Sequence, residues 1–324
     1  MSRVALENTF QRRSGVLSAL RRVRETILPR IASPVLIKPN FLSSGNQYAS
    51  THADAVRGVL DFLTQELPKP PQEVWIAEGG NERYSGEAFR NFGYERLPEE
   101  YPFPIRLIDL HQETEWEEAS IELADGSRTT VGVPKTVLRS PCRISVAVAK
   151  THDVLYTTLA LKNMIMGTIR KEDRVKMHGF PSHPERQRPR ECQVLNRNLI
   201  RLSRWLTPEI AVIDGVVGLE GDGPGGRDIV PFGAVFAGAD VWAVDAVCTA
   251  AMGFDPRQLG VFLYAERLGL GVTDLERIQV LGAPIEAVRR QFRPHRWYEH
   301  QRRWEEPEAV EPFFQEVQTL MRAS

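Results

Sequence analysis

The sequence predicts an α/β fold: a layered, mostly parallel central sheet flanked by helices, with a small antiparallel hairpin insertion. Short apolar runs of strand length alternate with helical periodicity through most of the chain, which is the pattern of a layered α/β architecture. Several of those runs, such as Arg143 to Ala149, are apolar on successive residues, as strands covered on both faces require. Only around Asp125-Gly126 do polar and apolar positions partly alternate, and that dipeptide suits the positive φ angles of a tight hairpin turn.

Taken in order, residues 1–33 are expected to form an N-terminal helical segment, followed by an α/β domain over residues 34–283. Pro34 to Lys38 reads as a strand and Ala53 to Leu67 as the helix after it. Pro68-Lys69-Pro70-Pro71 breaks the chain before a second strand, Glu73 to Ala77, and the Gly79-Gly80 turn then opens toward another helix. The hairpin insertion is expected at about residues 117–134. Arg143 to Ala149 follows as a strand, and Thr157 to Met166 has helical character. Residues 168–190 form a basic loop, Glu209 to Asp214 a strand ending in a carboxylate, and Gly233 to Ala237 a further strand. Asp240 is placed to cap an apolar helix running to Met252. Residues 284–324 form a C-terminal helical tail carrying Arg289, Arg290, Arg293, Arg296, Arg302 and Arg303 among Trp297, Tyr298 and Trp304. An acidic run from Glu305 to Glu311 follows those arginines, so the tail reads as a solvated helix that packs its aromatics on the core.

The chain has 324 residues, of which 42% are hydrophobic, enough to fill the core of one large domain or two ordinary ones. Its 41 lysines and arginines face 42 acids, and a net charge of −1 gives no global pull toward nucleic acid or membrane. No stretch approaches the roughly 20 apolar residues of a membrane span, and the first residues lack the apolar core of a secretory signal. The expected address is cytoplasmic. Cys142, Cys192 and Cys248 lie too far apart for a disulfide framework or a CxxC-type cluster and read as buried thiols.

The chemistry gathers where strands end. Ile37-Lys38-Pro39-Asn40 places a cation and an amide at a strand's carboxyl end, where open α/β sheets bind ligands. Lys38 and Asn40 are therefore candidate substrate-binding residues, although a snorkelling lysine and a turn asparagine are an equal reading. Thr51, at a helix start, reads as a cap. Lys150-Thr151-His152 again ends an apolar strand in a cation, with an imidazole two residues on. In Leu161-Lys162-Asn163, a lysine and an asparagine interrupt an apolar helix, and a buried ammonium must have a carboxylate, a ligand or water beside it. The segment from Thr168 to Arg190 carries Arg170, Lys171, Arg174, Lys176, His178, His183, Arg186, Arg188 and Arg190, the composition of a mobile cover over an anion.

Asp214-Gly-Val-Val-Gly-Leu-Glu220-Gly-Asp222-Gly-Pro-Gly-Gly226 contains GxGxxG from Gly221, but Pro224 inside it and the non-helical sequence after it argue against a dinucleotide loop. What it offers is backbone N–H groups at Gly221 and Gly223, and three acids. Asp214 is a candidate base, while Glu220 and Asp222 could hold a hard divalent cation or pair with the lysines. Walker, HExxH and GxSxG motifs are missing.

In order, Ile37-Lys38-Pro39-Asn40 with Thr51, Ala77-Glu78-Gly79, Lys150-Thr151-His152, Thr157, Leu161-Lys162-Asn163 with Gly167, Asp214-Gly215, Glu220 to Pro224, and Asp240 with Ala243-Val244-Asp245-Ala246 resemble the family of the domain of unknown function 362. The resemblance covers roughly residues 34–256. Some of its members look like fusions to a ferredoxin-type cluster module, which implies redox chemistry for part of the family. This chain departs from that form, since without clustered cysteines no self-ligated iron–sulfur cluster is expected. A distant similarity in organisation to the nickel-pincer lactate racemases matches none of their functional residues.

Together these features lead to an enzyme acting on a small anionic substrate, with redox, isomerase and group-transfer chemistry all open. Lys38, Lys150 and Lys162 would neutralise the substrate's charge, and Asn40 and Asn163 would orient it. His152 or His178 would exchange protons, for which an unperturbed pKa of about 6.5 is suited. The cofactor is unknown, a divalent cation being the one these residues suggest. The rival readings are an electron-transfer or non-catalytic protein docking an acidic partner through the basic segment, and, less favoured, a nucleic-acid binder.

Overall fold

The computed structural model describes residues 1–80, 85–305 and 307–322. The strands are β1 (Ser2–Asn8), β2 (Val35–Lys38), β3 (Val74–Glu78), β4 (Ile105–Asp109), β5 (Trp116–Glu122), β6 (Arg128–Pro134), β7 (Cys142–Thr151), β8 (Thr157–Thr158), β9 (Ile210–Leu219), β10 (Ile229–Val230), β11 (Ala234–Gly238) and β12 (Ile278–Gly282). Ten of them form one sheet with the order β12-β1-β11-β9-β7-β2-β3-β4, β10 being added to β9 and β8 to β7. Strands β9, β7, β2, β3 and β4 are mutually parallel, and β11 alone on the main path runs against its neighbours. The expected mostly parallel sheet flanked by helices is the one observed.

Alternate residues of the central strands feed two apolar layers, as strands covered on both faces must. Leu36, Ala77, Ala147 and Ile213 belong to one core, whereas Val35, Ile37, Ile76, Val146 and Val212 belong to the other. On the first face lie the helices Ala160–Met166, Arg188–Leu206 and Val241–Ala251; on the second lie Arg12–Arg22 and Ala53–Gln65. The hairpin β5–β6 turns at Asp125-Gly126, where Gly126 takes φ +84°, and buries Ala119, Ile121, Val131 and Val133 in the first layer.

The structure corrects several expectations. Residues 1–33 are not simply helical: Ser2–Asn8 is an interior strand, pairing with β11 on one side and β12 on the other. Its apolar run is short enough to suit either element, and only distant partners decide. Thr157 and Thr158 pair with β7, so the helix expected from Thr157 starts at Ala160. His52 rather than Thr51 caps the helix Ala53–Gln65, its Nδ1 accepting from the Asp54 N–H at 3.1 Å. Residues 168–190 do not form an open loop but fold into short helical turns, Lys171–Asp173, Arg174–Met177 and His183–Glu185, and Arg188 already begins the long helix.

The tail packs back on the molecule: Trp304 is buried beside Tyr264 and donates from Nε1 to the Gln258 carbonyl at 2.7 Å. Gln301 reaches the His152 carbonyl at 2.6 Å. Cys142, Cys192 and Cys248 are all buried free thiols, and no described helix is long and apolar enough to cross a membrane.

Candidate functional site

β3 and β4 lie to one side of β2, while β7 lies to the other, so chain connections leave β2 and β7 in opposite directions. Such a switch point leaves a crevice at the carboxyl ends of the parallel strands. A cavity of about 560 Å³ opens there, lined by Asn40 and Phe41 beyond β2, Glu78 and Gly80 at β3, and Lys150, His152 and Asp153 at β7. Helix Ala160–Met166 adds Lys162 and Asn163, the segment after it adds Lys171, Arg174, His178, His183 and Arg186, and Pro224 and Gly225 close one edge.

Some polar groups at this end of the sheet are engaged within the protein. Lys38 is fully buried and donates to Glu78 Oε2 at 2.5 Å, the Pro39 carbonyl at 2.7 Å and Asn163 Oδ1 at 3.3 Å. Three acceptors, one of them a carboxylate, match the three donors of an ammonium. Burial opposes the charge on both members, pulling Lys38 down and Glu78 up. Asn163 is equally committed, donating from Nδ2 to the Lys38 carbonyl and to Ser145 Oγ. Lys38 and Asn163 thus frame the cavity floor. Glu78, which sequence reasoning recorded only as a strand end, completes that frame.

Lys150 is different. It is 1% exposed and donates to Asn40 Oδ1 and, at 2.8 Å, to the Ala49 carbonyl, with no carboxylate among its described partners. Burial, reinforced by the neighbouring Lys162 charge, pulls its amine down to about 7. Lys162 makes no hydrogen bond or ion pair to a described residue, and burial brings it down to about 8 against the opposing pull of Asp153. Helix Ala160–Met166 presents it there because Asp245, from helix Val241–Ala251, accepts the Ala160 and Leu161 N–H groups at 2.9 and 3.0 Å and so caps the first turn.

His152 Nδ1 accepts from the Val154 and Leu155 N–H groups at 3.0 and 3.1 Å, so its proton resides on Nε2. His178 Nδ1 lies 3.3 Å from an Arg186 donor, which assigns the same tautomer. Burial holds both rings well below their ordinary pKa, and the nearby Lys162 and Arg186 charges act in the same direction. Both imidazoles are therefore neutral, with an Nε2–H apiece and no described acceptor for it.

Among the cavity residues, five lysines and arginines (Lys150, Lys162, Lys171, Arg174, Arg186) stand against two carboxylates, Glu78 and Asp153. Arg174 is spent on the carbonyls of Gly79, Gly80 and Ile169, and burial lowers it to about 10. Arg186 pairs with Glu191 and Asp153. Elsewhere in the basic segment, Arg170 pairs with Glu118 and Asp173, and Lys176 with Asp173. Arg170, Lys176 and Arg186 are thus neutralised within the fold, whereas Lys150, Lys162 and Arg174 line the cavity with no carboxylate in hydrogen-bond contact among the described residues.

Three expected site residues, and the metal pair with them, lie elsewhere. Asp214 is buried under the sheet, where its Oδ2 accepts from Arg12 Nε at 2.6 Å and its Oδ1 from the Val216 N–H. Glu220 accepts the Arg293 N–H at 2.9 Å, and Asp222 is held by Arg296. Tail arginines, unforeseeable as partners from local sequence, neutralise both acids, and no group of three metal-ligating side chains occurs among the described residues. The Gly221 N–H donates to the Arg293 carbonyl, and the Gly223 N–H to the Gly221 carbonyl, so neither faces the cavity. Gly223 is required for contact instead: a Cβ there would fall 2.1 Å from the Thr151 carbonyl.

A family model described as a domain of unknown function, DUF362, matches residues 35–250. The thylakoid-associated protein sll1697 of Synechocystis sp. is 25% identical over 256 residues, which is 78% of this chain and 74% of that protein. Two solved structures are also similar. The lactate racemase apoprotein from Thermoanaerobacterium thermosaccharolyticum is 14% identical with a TM-score of 0.43, over 74% of this chain and 54% of that one. A Thermotoga maritima protein is 11% identical with a TM-score of 0.44, over 68% of this chain and 53% of that one. The chain thus spans about half the length of each solved protein.

Proposed function

Given that the chain belongs to the DUF362 family, whose description assigns no reaction, we propose that the cavity at the switch point is the active site of an enzyme acting on a small anionic molecule. The observation that carries this reading is a cavity lined by Lys150, Lys162 and Arg174, none of which has a carboxylate hydrogen-bond partner among the described residues. Cations recessed in a cavity without carboxylate partners are costly, and a bound carboxylate or phosphate would relieve that cost. A cavity of about 560 Å³ lies within the usual range of about 300–1,000 Å³ for small-molecule sites. Neutral His152 and His178 supply N–H donors to the anion and, once a ligand charge raises their pKa, proton-transfer groups.

Calorimetric titration with inorganic phosphate and with small mono- and dicarboxylates tests the reading. Saturable binding to the wild-type chain is expected, weakened at least about tenfold in Lys162→Met, whose melting temperature should stay close to wild type because Lys162 makes no hydrogen bond or ion pair to a described residue. Unchanged anion binding in that variant would sink the proposal. The rival protein-docking reading draws less support, because Arg170, Lys176 and Arg186 of the basic segment are spent on internal carboxylates. Salt separates the two: surface docking fades as ionic strength rises, whereas a recessed site is less screened.

A further inference from the structure

We propose that Lys150 is a nucleophilic amine, so that the anion taken by this cavity is a carbonyl compound, such as a 2-oxo acid, held as a Schiff base on Lys150 Nζ. The inference rests on the anion-site reading and deepens it. Its basis is a difference between the molecule's two wholly buried lysines. Lys38 has three acceptors, among them a carboxylate, and is built for three donors. Lys150 has two, the Asn40 side-chain carbonyl and the Ala49 main-chain carbonyl. Two acceptors satisfy the two N–H bonds of a neutral amine and leave its lone pair without a competing donor, on a residue that lines the cavity.

The charges around Lys150 favour the same state. Lys162 and Lys38 oppose a proton on Nζ, and Glu78, the carboxylate that favours one, is already held by Lys38. A desolvated lysine beside a second cation is a recognised way of activating an amine. Lys162, with no hydrogen bond or ion pair to a described residue, is left to hold the ligand's carboxylate.

The step balances without any redox partner. The Nζ lone pair forms a C–N bond to the carbonyl carbon while the C=O π pair moves to oxygen. The oxygen is protonated and, after a second proton is added, leaves as water, while nitrogen loses one of its hydrogens and forms C=N. Overall, one amine, one carbonyl and one proton give a protonated imine and one water. Neutral imidazole N–H groups and the Lys162 ammonium are among the donors that line the cavity.

The test uses the full chain, with pyruvate and glyoxylate as probes. Each is incubated with the protein at pH 7 in the presence of sodium cyanoborohydride, and the product is read by intact mass and by peptide mapping. A single reduced adduct is expected at Lys150, formed roughly a hundredfold faster than at exposed Lys69, because burial beside Lys162 pulls the Lys150 amine down to about 7 and so raises its share of free amine at pH 7. Lys150→Met should lose the adduct, and since mapping on the wild-type chain locates it independently, a misfolded variant would not spoil the result. Labelling of Lys150 no faster than Lys69, or an adduct located at Lys162 alone, would overturn the proposal. Phosphate binding, measured by calorimetry on the same sample, separates the two ideas. Binding without a Lys150 adduct removes the nucleophile and keeps the anion site, whereas neither binding nor adduct removes both.

Discussion

Lys150 and Lys162 share one sequence signature with Lys38, a lysine in an apolar setting, yet the three have different chemistry because their acceptors differ. That difference has a pH signature. The folded chain holds the Lys150 amine at about 7 and Lys162 at about 8, whereas in the unfolded chain both titrate near 10.4. Between about pH 7 and 10 the unfolded state therefore binds more protons, and stability rises with pH through that window. Below it both states are protonated and the full penalty applies. Urea midpoints at pH 7.0 and 9.5 should show this rise in the wild type relative to a Lys150→Met, Lys162→Met double variant, and saturating phosphate should flatten it. Asp214 gives the opposite test. Because it serves the sheet through Arg12 and the Val216 N–H, Asp214→Asn should lower stability by about 1–3 kcal/mol while leaving anion affinity within twofold of wild type. A loss of binding without a loss of stability would return Asp214 to the site.

Helix Ala160–Met166 has only seven residues, too few to be stable alone. Its start is fixed by the Asp245 carboxylate from another helix, and the two lysine-bearing elements, this helix and β7, meet at the cavity. Asp245→Ala should cost about 1–2 kcal/mol, as loss of a strong cap does, and weaken anion binding as well, because Lys162 is then no longer held in place. Denaturant titration and calorimetry on one preparation check both halves. The glycine-rich loop after β9 works as packing: Gly223 lies against Thr151, and Asp222 and Glu220 tie the loop to the tail arginines. Asp222→Asn should therefore leave anion affinity unchanged, and a metal-dependent change in affinity on that substitution would restore the cation-site reading.

Over the whole molecule, β1 joins the parallel block to the far edge of the sheet, pairing with β11 and β12. Deleting residues 1–9 would expose two strand edges at once, so the truncated chain should be insoluble or lack a cooperative melting transition. A soluble, cooperatively melting product would show the strand to be dispensable. Local sequence determined much of this molecule. Buried strands, their breaks at Pro39 and Gly79-Gly80, the Asp125-Gly126 hairpin and the cationic strand ends are written in short-range pattern, because hydrophobic period and turn chemistry act over a few residues. The family resemblance, too, rests on those local motifs and their order. Tertiary structure alone decided which charges are spent. Arg12 with Asp214, Arg296 with Asp222, Lys38 with Glu78 and Asp245 with the helix start are separated by tens to hundreds of residues. A buried charge is defined by its partners rather than by its neighbours in sequence, and so only the folded chain distinguishes Lys38, tied to Glu78 across the sheet, from the two lysines that line the cavity.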